Sequence, residues 1–347
     1  MAVRSAPDFA TTASLPPIPG LRFRHFAGPA DYPAMNDVAN DSREGNGVHF
    51  ITPLDGFATF YDSFETEHCD KARYLFVVEV DGRMVGYART EWNDEQDGLR
   101  LHQVIGFLVP AWRRKGIGTA MLAALEGRAV DALREHPPSG GAFFQGGAQG
   151  DPGADALFTG SGYEAIRFGY EMVRPNLDPI VDAPLPEGLE IRPVTEDQLP
   201  QIWDAAVEAF RDAWGFTEPT EGDYEVFVKD PIQGDRSLWR IAWEGEQVAG
   251  QVRGFINEDE NARFGQKRGW VENISVRRPW RKRGLARALI ASTIDALRDR
   301  GMTQGALGVD TQNVSGALRL YESVGFRPVN KSTVYRRPMP TGPTGKA

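Results

Sequence analysis

RRKGIG (113–118) and RKRGLA (281–286) are one phrase written twice, with Arg113 answering Arg281 and Gly116 answering Gly284, 168 residues apart. Each phrase lies between a strand-like run, HQVIGFLVP (102–110) or WVENISVRRP (270–279), and a helix. Ile117, Met121, Leu122 and Leu125 in one helix, and Leu285, Leu289, Ile290, Ile294 and Leu297 in the other, recur at three- and four-residue steps that make one apolar stripe. The repeat extends outward. YLFVVEVDGRMVGYART (74–90) and LWRIAWEGEQVAGQVRG (238–254) read as hairpins turning at Asp81-Gly82 and Glu244-Gly245. The copies open at Leu21 (LRFRHFAGPADYPAM) and Leu189 (LEIRPVTEDQLPQI). The second closes with a short strand (303–310), a helix GALRLYESVGF (316–326) and a strand STVYRRP (332–338). The first has the weaker counterparts ADALFTGSGY (154–163) and AIRFGYEMV (165–173). Each copy is therefore a mixed sheet with helices on its faces, and the fold class is α/β, of the α+β mixed-sheet kind.

The chain's 347 residues exceed the roughly 250–300 that one core supports, in agreement with two domains. PNLDPIVDAPLPEG (175–188) holds four prolines and reads as a semi-rigid linker between domains at 21–174 and 189–339. Residues 1–20 read as a flexible arm rather than a signal peptide, and 340–347 as a flexible tail. No apolar run is long enough to span a membrane. A net charge of −9 disfavours nucleic acid as a partner. The single cysteine, Cys69, forms no intrachain disulfide and suits a reducing compartment, so the expected location is cytoplasmic. All five histidines (His25, His49, His68, His102, His136) precede residue 137, which leaves the second copy without an imidazole base. His68 beside Cys69 lacks metal-ligand spacing, and no metal is expected.

A glycine-containing basic loop at a helix start is suited to phosphate. Free backbone N–H groups and the positive end of the helix dipole face the anion, and glycine lets it approach closely. Arg and Lys add charge-assisted hydrogen bonds. Neither copy has the GK[ST] of a Walker A loop, and Met121 and Leu289 stand where a dinucleotide fingerprint needs its third glycine.

With its [QR]xxGx[GA] pattern after a strand, the repeated phrase resembles the signature of the GNAT acyl-CoA N-acyltransferases. Asn313, Ala317, Tyr321, Glu322, Gly325 and Phe326 resemble that family's later motif. The resemblance covers about 21–175 and 189–339 and implies two tandem GNAT-like domains, similar in layout to proteins of the mycothiol synthase kind. It implies that Arg281, Lys282, Arg283, Gly284, Leu285 and Ala286 hold the CoA pyrophosphate. Ile274, Ser275 and Val276 would pair with the pantetheine, Asn313 would belong to the cofactor site, and Tyr321 would protonate the departing thiolate. The matching first-copy set is Phe107, Val109, Arg113, Arg114, Lys115, Gly116 and Gly118.

Acyl transfer from a thioester to an amine needs a neutral amine, a polarised carbonyl and a proton for the thiolate. A backbone N–H such as that of Val276 would meet the carbonyl oxygen. Tyr321 is a suitable acid, and Glu272, on the strand before the loop, is a candidate base. The internal repeat is a control: Glu272 corresponds to Val104, Tyr321 to Phe158 and Asn313 to Gly150. The second copy is thus the expected catalyst, and the first a non-catalytic CoA-binding or structural domain. With no cysteine in the second copy, transfer from acetyl-CoA is expected to be direct. An acidic and aromatic stretch (Trp203, Glu208, Phe210, Asp212, Trp214, Phe216, Glu218, Glu221, Asp223, Tyr224, Glu225) suggests a cationic small-molecule or peptide amine, and 255–270 a lid or acceptor loop. The competing reading is a non-catalytic acyl-CoA sensor or scaffold. The oligomeric state is open.

Overall fold

The computed structural model describes residues 15–64, 68–95, 98–313 and 316–340. Two compact units result, one from the described residues of 15–167 together with 332–340, the other from those of 168–331. In chain order the first copy runs β1 (Leu21–His25), α1 (Tyr32–Glu44), α2 (Leu54–Asp62), α3 (Lys71–Tyr74), β2 (Leu75–Val80), β3 (Arg83–Asp94), β4 (Arg100–Leu108), α4 (Ile117–Glu135), β5 (Ala142–Gln149), α5 (Pro152–Gly160) and β6 (Glu164–Arg174). The second runs β7 (Glu190–Arg192), α6 (Leu199–Phe210), α7 (Glu221–Lys229), β8 (Trp239–Glu244), β9 (Gln247–Ile256), α8 (Glu258–Phe264), β10 (Arg268–Val276), α9 (Leu285–Asp299), β11 (Gln304–Asp310), α10 (Ala317–Ser323) and β12 (Arg327–Pro338).

The sheets repeat one topology, β1-β2-β3-β4-β5-β12 and β7-β8-β9-β10-β11-β6, and in each the fourth and fifth strands are parallel. The sixth strand comes from the other half of the sequence. β6 pairs antiparallel with β11 (Gly305 opposite Arg174), and β12 with β5 (Pro338 opposite Phe143). The compact units therefore depart from the contiguous division at 21–174 and 189–339: each copy's last strand joins the other copy's sheet. Burial explains the placement. Tyr335 and Met339 enter the first unit's core, where the Tyr335 hydroxyl donates to Asp155 at 2.8 Å. Met172 is fully buried in the second.

In each unit the first helix of the copy, with its partner, covers one face of the sheet, and the long helix after the basic loop covers the other. Phe76, Val78, Val104, Met121, Leu125 and Phe144 pack between sheet and α4, and Met35, Phe57, Tyr61, Leu75 and Tyr87 beneath α1 and α2. The second unit repeats this with Val252, Val271, Leu289, Ile294 and Leu307 on one side and Ile202, Phe227, Trp239 and Ile241 on the other. At roughly 1.5–3 kcal/mol per buried large aliphatic or aromatic side chain, these layers dominate each unit's stability.

Three connections differ from the sequence reading. In the expected arm, residues 1–14 lie outside the described residues, but Leu15 and Ile18 pack on the first core and Gly20 O accepts from Asp81 N at 3.2 Å. The Pro-rich segment is attached to the second unit: Leu177 is buried, Ile180, Val181 and Leu185 pack beside it, and Arg174 donates to the carbonyls of Asn176 and Leu177. The second hairpin turns at Gly245-Glu246, since Glu244 is already opposite Gln247. Residues 341–347 of the expected tail are outside the described set. No helix among the described residues is long and apolar enough to cross a membrane.

Candidate active site

The basic loop has the same backbone in both units. Gly284 (φ 86°) caps α9 and Gly116 (φ 85°) caps α4, each preceded by a non-glycine residue at positive φ, Lys282 (62°) and Arg114 (60°). The first intrahelical hydrogen bond of α9 is Ala288 N to Gly284 O, which leaves the N–H groups of Leu285 and Ala286 at the mouth of the cradle. A Cβ on Gly284 would meet no atom within 4 Å, so the approach to those groups is open.

The leading arginine of each phrase has a role that the sequence did not disclose. Arg281 donates through Nε to Val276 O (2.9 Å) and through Nη2 to Ala209 O (3.1 Å), and pairs with Asp212 (2.6 Å). Arg113 does the same with Leu108 O (3.1 Å), Ser42 O (2.9 Å) and Asn46 Oδ1 (2.6 Å). These side chains bind the strand end to the preceding helix and hold the loop in shape, where the sequence reading expected phosphate ligands. Arg283 reaches Glu187 O at 3.1 Å, Lys282 is exposed, and Lys115 lies over the Trp112 ring at 4.4 Å.

β10 and β11 pair only at 268–270 with 304–306, and beyond that point the ladder opens. The register between β9 and β10 also shifts between Glu272 and Ser275, around Asn273 at φ 52°, which is a β-bulge. Glu272 stands in the opening and accepts a hydrogen bond from Gly308 N at 2.8 Å. Withdrawal from water lifts its carboxyl to about 7, against the opposing effect of the Gly308 and Asn273 N–H groups. Tyr321, on α10, is 6% exposed, and burial together with the neighbouring Glu272 charge pushes its hydroxyl well above the ordinary phenol range. At neutral pH it keeps its proton. Asn313 lies in the turn before α10, where its carbonyl accepts from Gly316 N at 3.3 Å. Ile274, Ser275 and Val276 follow the bulge. Arg253 on β9 is directly opposite Glu272. Asn273 and Gly308 were missed by the sequence reading, whose only available signals were an asparagine inside an apolar strand and a glycine in the next.

The first unit carries the same frame without these groups. Extending the β4/β5 register places Val104 beside Gly146, as Glu272 stands beside Gly308. β3 and β4 pair without a break from Asp94–Arg100 to Gly86–Leu108. Phe158 covers Gly146 and stacks on Tyr335 at 5.2 Å. A cleft of about 1140 Å³ lies here, lined by Val104, Phe107, Arg113, Gly116, Gly118 and Phe158 among others. Pro16 Cβ is 3.4 Å from where a Gly116 Cβ would be.

Most of the acidic and aromatic stretch serves structure. Glu208 pairs with Arg277, Asp212 with Arg278 and Arg281, Glu218 with Arg211 and Glu225 with Lys229, while Asp223 completes the capping box of α7. Trp203, Tyr224 and Phe227 pack on one another in the core. The 255–270 segment, read as a lid or acceptor loop, is built into the unit: Glu260 is fully buried and accepts from Trp270 Nε1 (3.0 Å) and Gln266 Nε2 (2.8 Å).

The profile of the Acetyltransferase (GNAT) family matches residues 42–136 and 200–326, one stretch in each copy and more than half of the chain. The chain belongs to the GNAT family. It is an N-acetyltransferase, and GNAT acetyltransferases use acetyl-CoA as co-substrate. The mycothiol acetyltransferase of Salinispora arenicola (strain CNS-205) is 32% identical over 314 residues, 88% of this chain and 94% of that protein. The one from Thermobispora bispora is 29% identical over 318 residues, 89% and 97%. Among solved structures, a GCN5-related N-acetyltransferase from Sphaerobacter thermophilus has the same fold, with TM-score 0.67 and 22% identity, covering 95% of this chain and 98% of that one. A tandem GNAT protein from the clavulanic acid biosynthesis pathway has TM-score 0.63 and 16% identity, with 93% and 99% covered.

Proposed function

We propose that the second unit transfers the acetyl group from acetyl-CoA directly to a primary amine in a ternary complex. The supporting observation is the β10/β11 opening: in the second unit it holds a carboxylate and a phenol, and in the first a valine and a phenylalanine. The pyrophosphate is received at the Gly284 cradle by the N–H groups of Leu285 and Ala286, with Lys282 adding charge from the exposed loop. The pantetheine runs along Ile274–Val276, and a backbone N–H there polarises the thioester carbonyl. The amine arrives as an ammonium ion. Glu272, with a carboxyl near 7, takes its proton directly or through water, the free amine attacks the carbonyl carbon, and Tyr321 delivers a proton to the leaving sulfur. Cys69 is buried in the first unit, donates to Thr90 O and has its thiol pushed up to about 12, which suits a structural role and not an acyl carrier.

The first unit, with its cradle and cleft, is proposed to bind a CoA species without turning it over. The acceptor is a small-molecule or peptide amine, and the relatives' name adds amines of the mycothiol series to those worth testing. A thiol-release assay over such a panel tests the proposal. Amine-dependent release of CoA that falls about 10²-fold in Tyr321→Phe supports it. CoA binding with no release for any amine would favour the sensor or scaffold reading.

A further inference from the structure

We infer that Arg253 is an acceptor-recognition residue whose guanidinium receives a carboxylate carried by the amine substrate, while Glu272 on the adjacent strand receives the ammonium. This rests on the reading of the second unit as the site of acetyl transfer.

Strand register sets the geometry. Trp239 on β8 is opposite Arg253 on β9, and Arg253 is opposite Glu272 on β10. Directly opposed residues share a sheet face with Cβ atoms about 5 Å apart, so the three side chains form one row ending at the opening. Arg253 is 8% exposed. Its guanidinium carbon lies 4.9 Å from the Phe227 ring centre and 5.5 Å from that of Trp239. The rings hold the cation in place and offer it no hydrogen-bond acceptor. The guanidinium makes no hydrogen bond or ion pair with any described residue, and its Nε is buried without a partner.

A buried cation is normally paired, and the other two buried arginines of the unit are. Arg174 donates to several backbone carbonyls, and Arg268 faces Glu171 and Glu260. Of the two carboxylates near Arg253, Glu272 is on Gly308 N, and Asp230 accepts from Ile232 N, Gln233 N and Gln233 Nε2. Burial lowers Arg253 to about 10, which leaves it charged at neutral pH.

The first unit again serves as the control. Arg89 is opposite Leu75 as Arg253 is opposite Trp239, and it too is buried against rings, those of Phe60, Tyr61 and Phe64. Arg89 pairs with Glu91, so its charge is used within the protein. At the hairpin position the two units thus differ: Arg89 is ion-paired, whereas Arg253, beside Glu272, has no partner among the described residues. Its planar fork matches a carboxylate bidentately. An acceptor with an amine and a carboxylate on one molecule satisfies both residues.

The test compares glycine, β-alanine, 4-aminobutyrate and glycylglycine with their primary amides by thiol release, in the wild type, Arg253→Gln and Arg253→Lys. The wild type should favour the acid of the best pair by about 50-fold or more in kcat/KM, mainly through KM, on the scale of an unpaired buried charge. Arg253→Gln should abolish that preference, lowering kcat/KM for the acid far more than for the amide, and Arg253→Lys should fall between. Equal use of acids and amides by the wild type, or equal loss of both in Arg253→Gln, overturns the assignment. Calorimetry of the N-acetylated acid and amide on the CoA-loaded protein gives a readout that needs no turnover. Acid-selective binding that depends on Arg253, without thiol release, would uphold this assignment and overturn acetyl transfer. Unselective binding with active acetylation would do the reverse. If Arg253→Gln fails to fold, the wild-type comparison of acid and amide still decides.

Discussion

The two units share six-stranded topology, a clamping arginine and a pair of positive-φ residues at the helix start, and they differ where the fourth and fifth strands part. In the first, β3 and β4 form an unbroken ladder, Val104 and Phe158 line the cleft with carbon, and Pro16 lies beside Gly116. In the second, Asn273 breaks the ladder, Glu272 stands in the gap, and the buried Tyr321 is near enough to feel its charge. The shared parts are those that folding itself requires. Arg113 and Arg281 each satisfy carbonyls at the end of a strand and of a helix, so the cradle keeps its shape whether or not it is used. Features without such structural work are free to diverge. Asn273 at positive φ costs about 1–3 kcal/mol, a strain that the first unit does without.

The strongest way to break this comparison is to place a carboxylate in each cradle. Gly284→Glu should remove turnover and second-site CoA binding, because side chain and charge enter the space left for the pyrophosphate and the backbone there favours glycine. Gly116→Glu should leave turnover within about threefold. Calorimetry and thiol release on both variants decide, and loss of activity in Gly116→Glu with second-site binding intact would end the division of labour.

Next in size is the phenol. Tyr321→Phe should slow the chemical step about 10²-fold or more with acetyl-CoA affinity within a few fold, whereas the reciprocal Phe158→Tyr should add no activity. Wild-type turnover in Tyr321→Phe under chemistry-limited conditions returns Tyr321 to a packing role.

The carboxylate sharpens the comparison through pH. As the proposed base, Glu272 would have to be ionised, so kcat/KM should rise with pH through about 7, and in Glu272→Gln that limb should vanish with a rate loss of about 10–10²-fold. A profile that keeps the same limb in Glu272→Gln assigns it to another group.

The remaining effects concern stability and not turnover, and the units should respond in opposite directions. His102, buried in the first unit with neither ring nitrogen bonded to a described residue, is pushed down to about 4 by burial. The unfolded imidazole takes a proton near 6.5 and the folded one resists, so first-unit stability should fall by about 3 kcal/mol as pH drops from 6.5 to 4. His102→Leu should flatten that decline. In the second unit, burial lifts the Glu260 and Glu272 carboxyls to about 7, so the stability they contribute below about 4.3 is lost as pH rises through 7. Hydrogen exchange followed separately in β4 and β10 measures both trends.

Much of this was legible in the sequence because it is written in local pattern. Helix stripes, the Asp81-Gly82 turn, glycine at the two helix starts and the exchange of Glu272 for Val104 and Tyr321 for Phe158 are all set within a few residues of where they act. The pairing of distant segments is not. Whether STVYRRP closes its own sheet or the other depends on which edge buries Tyr335 and Met339, and the two edges lie far apart along the chain. The same holds for Arg281, which reads as a phosphate ligand until Ala209 and Val276 are seen to take its donors, and for Arg253, one arginine among many until the structure leaves its guanidinium unpaired. The sequence by itself determined the repeat, the family and the candidates for proton transfer, since side-chain chemistry and periodicity are local properties. Tertiary structure alone decided which strands complete each sheet, which charges are already spent and where the ladder opens, because each depends on what long-range packing leaves for a group to pair with.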